Sequence, residues 1–223
     1  MDRPPRSLPR GLLPAAIASL AIGLGGLGWA LSRAVPPRVP DLGDAATVLP
    51  IPVALPEFSL QDQSGTPFDS SRFADRWSFV FFGYTFCPDV CPNTLGNLRR
   101  LRGLIDDSRE QQMDDVQFVF ISVDPERDTR ERLAQYVPYF HDEFIGASGR
   151  AGEIEALTDA LGIYYARSDE DSGDPRNYLV DHSSAVLLVD PVARLLAVFS
   201  HPDDPEAMAR AFEKIQTLGE AAQ

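Results

Sequence analysis

A chain of 223 residues with 44% hydrophobic residues can bury one good-sized core. Its formal net charge of −13 argues against nucleic acid as a partner, because phosphate binding needs a basic footprint. No internal repeat or low-complexity tract points to an array or a disordered chain.

The chain opens with Arg3, Arg6 and Arg10, and then runs from Gly11 to Leu31 without a charge. An apolar run of this length crosses a bilayer core of about 30 Å as a helix. The preceding arginines favour an N-terminus on the cytoplasmic side. The expectation is a short cytoplasmic segment (1–10) and a single transmembrane anchor (11–31) in the inner membrane, with everything beyond it in the periplasm. A cleaved signal peptide is the rival, since Ala30-Leu31-Ser32 is a passable small-x-small site. Either way the cysteines lie outside the cytoplasm, where thiols are readily oxidised. Residues 32–54 contain Pro36, Pro37, Pro40, Pro50 and Pro52 and read as an extended linker, which places the folded domain at 55–220.

Within that domain, Phe58-Ser-Leu-Gln, a polar turn at Asp62-Gln-Ser-Gly65 and Thr66-Pro-Phe68 read as a β-hairpin. Phe79 to Phe82 form an unbroken apolar run, the pattern of a central strand buried on both faces. It ends in Gly83-Tyr-Thr-Phe-Cys-Pro-Asp-Val-Cys-Pro92, which holds the chain's two cysteines, Cys87 and Cys91. Pro88 disfavours an α conformation at Cys87, and Pro92 suits the first turn of a helix. Leu95, Leu98, Leu101 and Ile105 continue at helical spacing. Both sulfurs therefore sit at a strand-to-helix junction, where the helix dipole favours thiolate. Asp89 between them opposes a second negative charge until a cation arrives. A purely structural disulfide is the plainer alternative, but so short a loop makes a poor staple.

Val116 to Val123 read as a second core strand, parallel to the first through a right-handed crossover. Asp128 and Glu131 have the spacing of a capping box for a helix through Leu133, Tyr136 and Val137, with Pro138 ending or kinking it. Ile154, Leu157 and Leu161 mark another helix, closed by Gly162. Ser168 to Arg176 read as a polar, acidic loop. Ala185–Val189 and Leu195–Phe199 are two more strands joined by a turn at Asp190-Pro191. Asp204 caps a last helix whose Met208, Phe212, Ile215 and Leu218 face inward. This order gives an α/β, thioredoxin-like fold with an added N-terminal β-hairpin, preceded by the single transmembrane helix.

Topology sorts the three histidines. His141 follows a helix that leaves the cysteine end of the sheet and ends roughly 15 Å away. His201 returns to that end, but two strand spacings across, on the order of 10 Å. His182 lies just before a strand that runs antiparallel beside the cysteine strand, and so is the best third partner for the sulfurs. A histidine satisfied by local hydrogen bonds is the simpler alternative. Two thiolates and an imidazole make a soft site of low coordination number, suited to Cu(I) with Cu(II) accessible, whereas zinc usually takes a fourth ligand.

Four stretches carry a resemblance: Phe58 to Gly65, Phe82 to Pro92, Ser122-Val-Asp-Pro-Glu-Arg-Asp-Thr129 and Tyr178-Leu-Val-Asp-His-Ser183. Together they make residues from about Phe58 to Phe212 similar to the SCO/SenC family of copper-binding, cytochrome oxidase assembly proteins. The resemblance implies copper held by Cys87, Cys91 and His182. It also implies delivery to the dinuclear centre in the copper-site subunit of cytochrome c oxidase, with a copper donor protein upstream. Asp124 falls in one of these motifs but is not assigned as a ligand. Two functional classes stay open: a metallochaperone without turnover, and a thiol–disulfide oxidoreductase that uses Cys87 and Cys91 to reduce the oxidase's cysteines. A thiol peroxidase is a distant third.

Overall fold

The computed structural model describes residues 42–108, 116–169 and 178–221. The expected cytoplasmic segment, the anchor at 11–31 and the linker up to residue 41 lie outside these, as does most of the expected acidic loop. No helix among the described residues is long and apolar enough to cross a membrane.

The strands are β1 (Thr47–Ala54), β2 (Leu60–Asp62), β3 (Pro67–Phe68), β4 (Trp77–Gly83), β5 (Val116–Ser122), β6 (Ile145–Ser148), β7 (Tyr165–Asp169), β8 (Tyr178–His182), β9 (Val186–Val189) and β10 (Arg194–Phe199). The helices are α1 (Val90–Ser108), α2 (Arg130–Phe140), α3 (Ala151–Leu161) and α4 (Pro205–Ala221). Eight strands form one mixed sheet in the order β1-β10-β9-β4-β5-β6-β2-β3, while β7 and β8 form a separate two-stranded ribbon.

β4 and β5 pair in parallel from Trp77↔Val116 to Gly83↔Ser122, which aligns their C-terminal ends at one edge. β9 runs antiparallel to β4, with Phe81 opposite Val186, so the start of β9 returns to that edge. Both faces of β4 are covered, which is why its sequence does not alternate. On one face Phe79 stacks on Phe118 at 5.1 Å and meets Phe212 of α4, while Phe120 meets Tyr136 of α2. Leu95, Leu98 and Leu101 of α1 are buried as well. On the other face Val80, Ile121, Leu187 and Val189 gather with Leu157 and Leu161 of α3, Phe58 and Phe73. Each buried ring contributes about 2–3 kcal/mol of transfer free energy, so this double layer anchors the edge that carries the cysteines.

The architecture is the expected thioredoxin-like one, and the hairpin is β2–β3. The Asp62 carboxylate accepts from Ser64 N, Ser64 Oγ and Thr66 N, and Gly65 turns the chain at φ 88°. Gly162 closes α3 in the left-handed conformation at φ 67°, and the Asp204 carboxylate accepts from Ala207 N at the start of α4.

Three local expectations need correction, and a fourth is narrowed. Residues 47–54 are not tether: β1 pairs antiparallel with β10, Thr47 opposite Val198 and Ala54 opposite Arg194. Pro50 and Pro52 are tolerated because the register shifts between Val48 and Val53 on an edge strand, where ladder donors can be spared. The helix cap at α2 is Thr129, whose side chain accepts from Arg132 N. Asp128 is instead buried and accepts from Thr85 N, Thr85 Oγ1 and Ser122 Oγ. Three buried donors outcompete one helix terminus for that carboxylate. Of the two effects expected of Pro138, an end is excluded: α2 continues to Phe140, because a proline so near the C-terminus forfeits little of the ladder. Finally, Ser168 and Asp169 belong to β7, where they pair with Leu179 and Tyr178.

Candidate metal centre

Each ligand candidate reaches the sheet edge by a different route. Cys87 sits in the turn after β4, its N–H donating to Tyr84 O at 3.3 Å. Cys91 is the second residue of α1 and fully buried, whereas Cys87 is half-buried. Gly83 makes room for the inner sulfur: a Cβ there would lie 2.8 Å from Cys91 Sγ and 2.9 Å from a Phe120 ring carbon. His182 ends β8, opposite Tyr165 in the ribbon. Its ring stands edge-on to Phe81 and to Tyr84, each at 5.8 Å.

The three side chains converge. Their candidate ligand atoms all lie within 4.8 Å of one another, the one such His, Cys, Asp or Glu group among the described residues. Cys91 Sγ is 3.2 Å from His182 Nε2, and Cys87 Sγ accepts from Cys91 N–H at 3.4 Å. His182 Nδ1 lies 2.9 Å from Ser183 O. A carbonyl can only accept, so Nδ1 carries the proton and Nε2 presents its lone pair to the sulfurs. The Ser183 carbonyl thereby fixes the ring's tautomer and direction.

The two thiols are electrostatically unequal. The hydrogen bond from Cys91, opposed by burial and helped by backbone N–H groups, pushes the Cys87 thiol down to about 3. The same bond, reinforced by burial, pushes Cys91 far up. One thiolate, one proton and one imidazole lone pair therefore share the pocket. A soft cation replacing that proton would meet two sulfurs and a nitrogen at once.

The other histidines stay outside. His141 caps the far end of α2, where its Nδ1 accepts from Glu143 N and its ring lies against Phe144. His201 is exposed beyond β10, in a surface hollow with Asp44, Asp203 and Asp204. Asp89 is not part of the group, and its carboxylate accepts from Asn93 Nδ2 at 2.7 Å. The supporting residues were missed in the sequence: Thr85, Asp128, Arg127 and Tyr178 tie the cysteine loop and the ribbon to the loop after β5. Their signal was their presence in the same motifs as the ligands, but polar residues between strands look the same whether they cap, solvate or brace.

The chain is similar to known proteins in both sequence and fold. The SCO1/SenC family model matches residues 52–217. A SCO2-like protein of Rickettsia conorii is 34% identical over 193 residues, covering 86% of this chain and 91% of its own. Arabidopsis thaliana ScoI, solved with copper bound, superposes with a TM-score of 0.67 at 31% identity, over 74% of this chain and 99% of that one. Apo Sco1 from Thermus thermophilus gives a TM-score of 0.66 at 36% identity, over 78% and 96%.

Proposed function

Since the chain belongs to the SCO1/SenC family, we propose that it is a membrane-anchored copper chaperone that carries copper on Cys87, Cys91 and His182 and delivers it to the dinuclear copper centre of cytochrome c oxidase. The observation that carries this reading is the convergence of two sulfurs and an oriented Nε2 within 4.8 Å. Copper bound in the related Arabidopsis protein supports it. Copper is the cargo here. The two thiolates suit Cu(I), and the imidazole keeps Cu(II) within reach. The half-buried Cys87 leaves the site open to an incoming ligand from a donor or from the oxidase's copper-site subunit. In this reading residues 11–31 hold the protein in the inner membrane and the folded domain works in the periplasm.

Metal analysis of the reduced protein tests the assignment. Wild type should bind one copper. Cys87→Ser or Cys91→Ser should nearly abolish binding, because a hydroxyl is a poor soft-metal ligand. His182→Ala should keep weakened Cu(I) binding and hold Cu(II) poorly, while His141→Ala should match wild type. Unchanged binding of both oxidation states in His182→Ala would overturn the ligand set.

The asymmetry of the thiols favours a second reading, that of a thiol–disulfide reductase. The Cys87 thiolate attacks a disulfide of the target and expels one target thiolate, leaving a mixed disulfide. Cys91 then loses its proton and attacks Cys87 Sγ, which releases the second target sulfur. The target gains two electrons, one proton from Cys91 and a second from solvent, and this chain ends as the Cys87–Cys91 disulfide. His182 is not needed for those steps, so thiol exchange that survives in His182→Ala separates the two activities.

A further inference from the structure

The histidine is carried by a ribbon that has no hydrogen-bonded place in the main sheet. A lone two-stranded ribbon is marginally stable, so something else must hold His182 at the sulfurs. Five side chains alternate across the gap. Arg132 and Arg127 each place a guanidinium carbon 4.9 Å from the Phe86 ring centre. Arg127 and Arg167 lie on the Tyr178 ring at 3.5 and 3.7 Å. Arg127 also approaches Tyr84 at 5.6 Å. Phe86 is the residue before Cys87, and Tyr178 begins the strand that ends at His182.

Arg127 grips Tyr178 a second way, donating from Nη1 to Tyr178 O at 2.8 Å. Its Nε is ion-paired with the buried Asp124, which accepts from Tyr178 Oη at 2.6 Å. The guanidinium is thus neutralised, planar and fixed, with one aromatic from the cysteine loop and one from the histidine ribbon against it. Lysine could supply the charge but not the planar fork.

We propose that Arg127 is a positioning residue that couples the two ligand-bearing elements, holding the ribbon so that His182 Nε2 meets the sulfurs. Loss of this coupling frees the imidazole while the cysteine loop, braced separately by Asp128, keeps its shape. The inference rests on the copper reading above, and its test separates the two.

Full-length wild type, His182→Ala, Arg127→Met, Arg127→Lys and Tyr178→Leu are titrated with Cu(I) and Cu(II), and nitrogen hyperfine coupling is followed in the Cu(II) spectrum. Arg127→Met should lose the imidazole nitrogen signature and bind Cu(II) at least tenfold more weakly. Its Cu(I) affinity should change less than threefold and its thiol reactivity should match wild type. Arg127→Lys should fall between, and Tyr178→Leu should reproduce Arg127→Met. A purely structural lesion would lower both copper affinities together, and that outcome overturns the inference. So does wild-type Cu(II) binding with nitrogen coupling in both Arg127→Met and Tyr178→Leu. Should Arg127→Met not fold, Tyr178→Leu decides alone. Absence of imidazole coupling in wild type itself defeats the copper reading instead.

Discussion

At the scale of single residues, the site depends on two thiols of opposite character. Cys87 is held as thiolate by the hydrogen bond from Cys91, and that bond keeps the proton on Cys91. A free thiol titrates near pH 8.5 and loses about tenfold in reactivity per pH unit below that. Because the Cys87 pKa is lowered to about 3, its thiolate fraction is nearly constant down through pH 5. Alkylation of metal-free, reduced protein should therefore label Cys87 at a rate almost flat from pH 8 to pH 5, with Cys91 protected by burial. Mass spectrometry of the labelled peptides reads this directly, and a tenfold loss per unit would contradict the shared-proton arrangement. Gly83 belongs to the same scale, since no larger residue leaves space for the inner sulfur.

At the scale of elements, every group at the site meets at the same edge of the sheet. β4 delivers the cysteine turn, the loop after β5 delivers Asp124, Arg127 and Asp128, and the ribbon delivers His182. β1 stabilises this arrangement from a distance by covering β10, which in turn borders β9. A chain shortened to begin at Leu55 loses that cover. With a net contribution of about 1 kcal/mol for each of several ladder hydrogen bonds, it should be less stable than one beginning at Leu42 by on the order of 2–4 kcal/mol. It should also aggregate more readily through the uncovered edge. Urea denaturation of the two chains, with light scattering of the unheated samples, gives both numbers. Equal midpoints would show that β1 is energetically idle.

The whole molecule joins an acidic domain to an N-terminal run from Gly11 to Leu31 that carries no charge. The anchored, periplasmic arrangement proposed for it has a simple check. A reporter that functions only outside the cytoplasm, fused after Ser32, should be active, and the protein should fractionate with membranes after a salt wash. Recovery of a soluble mature form beginning near Arg33 would falsify the anchor.

The sequence by itself determined the core and the candidate ligands. An apolar run too dense to alternate marks a doubly covered strand, and β4 proved to be one, with two cysteines at its end. The direction of the following strands then brought His182 back to that edge and sent His141 to the other, because strand order constrains where chain ends can lie. What the tertiary structure decided was how those side chains are held. Asp128 reads as a helix cap until three donors from two other segments are seen around it. Residues 47–54 read as linker because prolines signal extension, and only a partner strand 140 and more residues away in sequence turns extension into pairing. The ribbon under His182 and the arginine stack across it leave no local signature either. Periodicity reports which face of an element is buried, whereas a brace between loops depends on which distant residues happen to meet.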